Sequence, residues 1–208
     1  MIVVDCEQGS EEWQAIRQGI PTASQFSRII TATGKPSASA TGYMHELLAE
    51  YLLDKPTESF SSGWMERGKE QEQEAADFYE FEHGVDTSKI GFCLRDDKRV
   101  GCSPDRLVGM DGLLEIKVPK AQTHVAYLLG SASKEYKVQI QGQLYIAERE
   151  WCDILSFNPN MPPAETRCER DEPFIKTMGG LIDEFLADLD KAKEQLEQKG
   201  IVPFDPFN

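Results

Sequence analysis

Residues 103–117 read SPDRLVGMDGLLEIK, and this stretch decides the fold. Arg106 to Val108 and Leu113 to Val118 are short apolar runs joined by Gly109-Met110-Asp111-Gly112, a turn composition that predicts a β-hairpin. Asp105 opens one arm. Glu115 and Lys117 alternate with apolar residues on the other, so both project from one face of the sheet, and pairing of the arms brings Asp105 toward them. Leu113, Leu114, Ile116 and Val118 mark a core strand, in which a Glu and a Lys need a reason. An exposed hairpin with a weak surface Glu–Lys pair has the same spacing but not those neighbours.

Working outward, Ile90 to Leu94 and Val100 to Ser103 read as the preceding strands, and Cys152 to Asn158 and Thr166 to Glu169 as later ones. Helical periodicity occupies 122–130 and 134–148 between them. On the N-terminal side, Ser10 followed by Glu11 and Glu12 starts a short helix that Gly19 stops. A second helix begins at Thr22 or Ser24 and passes Phe26, Ile29 and Ile30. The run GKPSASATG then reads as a mobile loop, followed by helices over 43–53 and 64–82. Phe174, Met178, Leu181, Ile182, Phe185, Leu189, Ala192 and Leu196 make one apolar stripe on a closing helix. The tail GIVPFDPFN reads as a strap across the core or an edge that meets another chain. The expected architecture is α/β, a restriction-endonuclease-like central mixed sheet flanked by helices, in one domain over 1–208.

Composition sets limits on function. The 22 basic against 36 acidic residues give a net charge of −14, which opposes bulk attraction to nucleic acid. A pocket of carboxylates that holds a divalent cation escapes that objection, provided basic residues gather in one groove and acidic ones cover the outside. Cys6, Cys93, Cys102, Cys152 and Cys168 contain no CxxC pair, which argues against a disulfide framework, a zinc site or a local iron–sulfur motif. The first residues lack a secretory signal and no membrane span is visible, so the expected compartment is the cytoplasm.

Two carboxylates converging on one point raise each other's pKa, and a divalent cation is the usual compensation. Hard oxygen donors without histidine select Mg²⁺, with Mn²⁺ as substitute. An ammonium beside such a pair can orient a water and stabilise charge growing on a phosphate, as phosphodiester hydrolysis requires. Glu72 shares a helical face with Gly68, Ala75, Ala76 and Tyr79 and adds a third carboxylate facing inward. Gln139, on one face with Tyr136 and Ile140, points toward the sheet as a site amide or a structural one.

Ser103-Pro104-Asp105, nine intervening residues and Glu115-Ile116-Lys117 resemble the PD-(D/E)xK nuclease signature. The surroundings resemble the lambda exonuclease (YqaJ) family of viral recombinases. Trp13 with Ile16 to Ile20 and Thr22-Ala23-Ser24 is similar to its N-terminal motif. Arg67-Gly68-Lys69, Glu72 and Ala75 are similar to its helical motif, and Lys137 to Gln141 to its final Q-x-Q motif. The resemblance implies Asp105, Glu115 and the Ile116 carbonyl as metal ligands, with Lys117 and Gln139 positioning the attacking water. It implies Glu72 at a second metal site, so two Mg²⁺ per active site, and Arg17, Ser24 and Ser103 at the 5′-phosphate of the substrate strand. It further implies 5′-to-3′ degradation of one strand of linear double-stranded DNA, a toroidal homotrimer and a single-strand annealing protein as partner. An endonuclease or a RecB-like nuclease of the same fold is the alternative.

Overall fold

The computed structural model describes residues 1–55 and 63–203, and for 63–70 the main chain only. The motif side chains Arg67 and Lys69, and the tail from 204 onward, lie outside the described residues.

The hairpin forms as its sequence requires. β5 (Arg106–Val108) and β6 (Gly112–Lys117) pair antiparallel with Arg106 opposite Leu114 and Val108 opposite Gly112. Gly109 takes φ +54°, a left-handed conformation that favours glycine and lets the chain reverse. β7 (Trp151–Ser156) lies parallel to β6 on its other side, and β8 (Ala164–Glu169) closes that side antiparallel. With β2 (Thr87–Ser88) on the opposite edge, the order β2-β5-β6-β7-β8 makes the expected mixed sheet. The preceding strands depart from the expectation of one sheet. β3 (Phe92–Leu94) and β4 (Gly101–Cys102) pair with β1 (Ile2–Val4) in a separate three-stranded sheet, ordered β1-β3-β4.

The break between the sheets falls at Ser103-Pro104-Asp105. Pro104 has no N–H for a ladder, so β4 ends before it and β5 begins beyond it. Gln8 braces this crossover, its Nε2 donating to the carbonyls of Ile90 (2.8 Å) and Pro104 (2.9 Å).

Period-two alternation divides the large sheet between two helical layers. Leu114, Ile116 and Leu155 meet Ala75, Ala76 and Tyr79 of α3 (Gly63–His83) on one side. Leu113, Cys152 and Ile154 face the other side, where α6 (Lys137–Ala147) and α7 (Glu172–Gln198) build the main core. Asp171 caps α7 by accepting from the Phe174 N–H at 3.1 Å, and Phe174, Met178, Ile182, Phe185 and Leu189 of the expected stripe are buried. Removing each such side chain from water contributes roughly 2 kcal/mol.

The N-terminal helix α1 (Glu11–Arg17) is capped by Ser10, whose Oγ accepts from the Trp13 N–H at 3.2 Å. The segment read as a second α-helix is a 3₁₀ helix, Ala23–Arg28, and only its buried residues Ala23 and Phe26 follow the apolar pattern. The run read as a mobile loop is a turn fastened on both sides: the Thr31 N–H donates to the Lys35 carbonyl and the Ser37 N–H to that of Ile29, both at 2.8 Å. α2 (Ala40–Leu53) therefore starts earlier than its apolar residues indicate. The region read as one helix over 134–148 is split at Tyr136 into α5 (Ala132–Glu135) and α6, after α4 (Ala121–Leu128).

α6 packs against the 3₁₀ helix through Gly142. A Cβ there would stand 2.6 Å from the Phe26 ring and 3.1 Å from the Ala23 Cβ, so only glycine permits this approach. The contact ties Ser24 to the helix that carries Gln139.

Candidate active site

Glu115 is 3% exposed, and its carboxylate is held by three donors. Lys117 Nζ (2.5 Å) and Gln139 Nε2 (2.6 Å) donate to Oε1, and Gln143 Nε2 (2.7 Å) donates to Oε2. Gln139 and Gln143 are one helical turn apart on α6, the spacing that stacks two side chains on one face. Lys117 also lies over the Tyr136 ring, with Nζ 4.6 Å from its centroid. Burial works to lower the Lys117 pKa, but the charge and hydrogen bond of Glu115, joined by Asp105, outweigh it and hold the ammonium above its ordinary value.

Asp105 meets this group through the main chain, Oδ2 accepting from the Ile116 N–H at 2.6 Å. Burial, then the charges of Glu115 and Glu72, push its carboxyl well above the usual carboxylate range, against the pull of Lys117 and the Ile116 N–H. Glu72 is half-buried on α3, which packs on the opposite face of the sheet to Glu115, and its link to the site is its charge acting on Asp105. Among the described residues no three His, Cys, Asp or Glu side chains form a ready-made metal cage. The hard donors at hand are the Asp105 and Glu115 carboxylates and the Ile116 carbonyl, and the enclosed repulsion of the two carboxylates is what a divalent cation relieves. The donor set fits Mg²⁺ or Mn²⁺.

Beside this group lies a cleft of about 160 Å³ that brings the remaining candidates together. Arg17, Ser24 and Ser103 line it, with Gln139 and Gln143 at the wall shared with Glu115. The following contacts explain the assembly. On α1, Trp13 and Arg17 are four residues apart: Trp13 Nε1 donates to Ser103 Oγ at 2.8 Å, and the Arg17 guanidinium stacks 3.8 Å over the Trp13 ring. Thr22 bridges to Gly101, whose N–H donates to the Pro21 carbonyl at 3.1 Å, which draws the 3₁₀ helix against β4. Thr22 and Ser24 share a hydroxyl contact of 3.3 Å.

Charge separates Arg17 from most of its kind. Arg28, Arg95, Arg99, Arg167 and Arg170 are tied to carboxylates. Arg17 forms no ion pair among the described residues, and burial pushes its pKa down. A half-buried cation on an aromatic shelf, with two serine hydroxyls in the same cleft, matches an anion that brings several acceptor oxygens. The volume admits a phosphate group with a few waters.

The sequence reading missed three contributors. Gln143 belongs to the row Gln139, Gln141, Gln143, which looks like a period of two, whereas helical spacing pairs the outer members on one face. Gln8 acts across 82 and 96 residues of chain, beyond any local signal. Trp13 enters the reading only as a motif residue, yet it positions both Arg17 and Ser103.

The YqaJ-like viral recombinase domain model matches residues 12–150. An alkaline exonuclease (LHK-Exo) from Laribacter hongkongensis superposes with a TM-score of 0.82 at 34% identity, over 92% of this chain and 98% of that one. The same enzyme in complex with dAMP gives 0.83 at the same identity and coverage. A phage related exonuclease from Haemophilus somnus 129PT shares the fold at TM-score 0.67 and 14% identity, over 85% of this chain and 96% of that one. No curated protein matches the chain.

Proposed function

This chain belongs to the YqaJ-like viral recombinase family, and on that premise we propose that it is a divalent-metal-dependent exonuclease degrading one strand of linear duplex DNA from its 5′ end. The observation that carries this reading is the continuity of the two half-sites. The residues suited to hold a metal meet the residues suited to grip a terminal phosphate at Gln139, which donates to Glu115 and lines the cleft.

Each residue has a task. Asp105, Glu115 and the Ile116 carbonyl would hold one Mg²⁺, and Glu72 would contribute to a second. A divalent cation there supplies charge neutralisation at the phosphate and makes a water more acidic. Lys117, fixed by its bond to Glu115, stabilises charge that grows on the phosphate and, with Gln139, orients the attacking water. Arg17, Ser24 and Ser103 grip the terminal 5′-phosphate, so the scissile bond of the first nucleotide lies beside the carboxylates. Loss of that nucleotide leaves a 3′ overhang, the substrate a single-strand annealing protein coats. The reading extends to a ring-shaped homotrimer around the duplex in a bacterial host's cytoplasm, with acidic surface on the outside. Exposed Glu11, Glu12, Asp96 and Asp97 agree with that placement of negative charge. No helix among the described residues is long and apolar enough to cross a membrane.

The test uses one duplex in three forms, linear with a 5′-phosphate, linear with a 5′-hydroxyl and covalently closed. In Mg²⁺ the phosphorylated ends are expected to be degraded fastest and the circle left intact. Arg17→Ala is expected to erase most of the phosphate preference, about 10-fold or more, since a charge-assisted pair with phosphate is worth roughly 1.5–3 kcal/mol. Cutting of the circle favours the endonuclease alternative, and an unchanged preference in Arg17→Ala refutes the phosphate grip.

A further inference from the structure

Gln143 is 2% exposed, and no other side chain among the described residues donates to Glu115 Oε2. The opposite oxygen already takes Lys117 and Gln139. The orientation of the Gln143 amide is forced, because turning it over would set its oxygen against a carboxylate oxygen. Its Oε1 therefore points away from Glu115, where it is buried without a partner among the described residues, on a residue that lines the cleft. Buried acceptors are rarely left unpaired.

Gln141 shows what a structural amide on the same helix looks like. It points the other way, its Nε2 donating to the Glu169 carbonyl and its Oε1 accepting from the Asp171 N–H, both at 2.8 Å. Both ends are satisfied, and the contacts anchor the start of α7.

The geometry points to Gln143 as a positioning residue that fixes the Glu115 carboxylate for metal binding through Nε2. This role rests on the nuclease reading above, in which Glu115 is a metal ligand. Groups that orient a ligand from behind contribute about 10- to 100-fold in metal affinity or activity.

The experiment titrates metal-free protein with Mn²⁺ alone, without DNA, alongside a melting curve and steady-state kinetics on linear duplex. Gln143→Met, of similar volume and without an amide, is expected to weaken Mn²⁺ binding about 10-fold or more and to lower kcat with KM for DNA ends unchanged. Gln141→Met is expected to melt lower while its Mn²⁺ affinity stays within about 2-fold of wild type. Should Gln143→Met fail to fold, Gln143→Asn, which withdraws the amide by one methylene, carries the same test. Wild-type Mn²⁺ affinity in the Gln143 variant, or an equal loss in Gln141→Met, overturns the assignment. Wild-type protein that neither binds Mn²⁺ nor cuts DNA instead sinks the nuclease reading itself.

Discussion

With Asp105 replaced by asparagine, cleavage of linear duplex in Mg²⁺ is expected to fall by about 10³-fold or more, since a metal-borne charge supplies several kcal/mol at the transition state. The metal-free variant is expected to melt no lower than wild type, and higher if anything. Asparagine has the same shape, and its Oδ1 can keep the 2.6 Å bond from the Ile116 N–H. What it removes is a carboxyl that, without metal, must carry its charge against burial, Glu115 and Glu72 or take up a proton. A residue that costs stability in the empty site and is indispensable to the reaction is what a metal ligand should be. Retained activity in Mg²⁺ would show that Asp105 is not a ligand, and a large fall in melting temperature would show that it is a structural hydrogen-bond acceptor instead.

Lys117→Met should behave in the opposite sense on stability. Glu115 then keeps two amides but loses the cation paired with it among the described residues, and removing one partner of a buried pair costs roughly 3 kcal/mol, on the order of 10 °C for a chain of this size. The turnover number is expected to drop about 10²- to 10³-fold, as for loss of a preorganised group that stabilises transition-state charge. Mn²⁺ affinity should hold or rise, because a competing cation has gone from Glu115, and added Mn²⁺ should recover much of the lost melting temperature. A variant with normal kcat and a raised KM would move Lys117 from the chemistry to DNA binding.

The contrast between these two substitutions comes from features the sequence exposes unevenly. The hairpin is legible because polar Glu115 and Lys117 interrupt an apolar strand and a glycine-rich turn fixes its partner. The closing helix is legible because its stripe runs through the whole of α7. The division into two sheets is not, since β2 and β4 are two residues long and β1 finds β3 across nearly 90 residues of chain. The 3₁₀ helix escapes as well, because six residues do not distinguish three residues per turn from 3.6. Within the site, Asp105, Glu115, Lys117 and Gln139 stand out by type and spacing; hydrogen bonds join Lys117 and Gln139 to Glu115, and Asp105 is held by the N–H of Ile116 between them. Arg17, Ser24 and Ser103 share a cleft only because Trp13, Thr22 and Gly101 join α1, the 3₁₀ helix and β4, which no local pattern announces. Gln143 had a signal in its one-turn spacing from Gln139, hidden by the alternation of three glutamines.

The acidic composition takes its place in the same picture. Among the described residues five arginines are paired with carboxylates, whereas the cations at the site are held by aromatic rings, Arg17 over Trp13 and Lys117 over Tyr136. Affinity for DNA should therefore depend on the end and its phosphate more than on bulk charge.

The most direct measurement follows linear duplex labelled distinctly at its 5′ and 3′ ends, incubated with the protein in Mg²⁺ and sampled early. Release of the 5′ label as a mononucleotide, with the 3′-ended strand left intact and no release in EDTA, is the predicted result. Release of the 3′ label first, internal cutting before either label is freed, or equal activity without a divalent cation would contradict it.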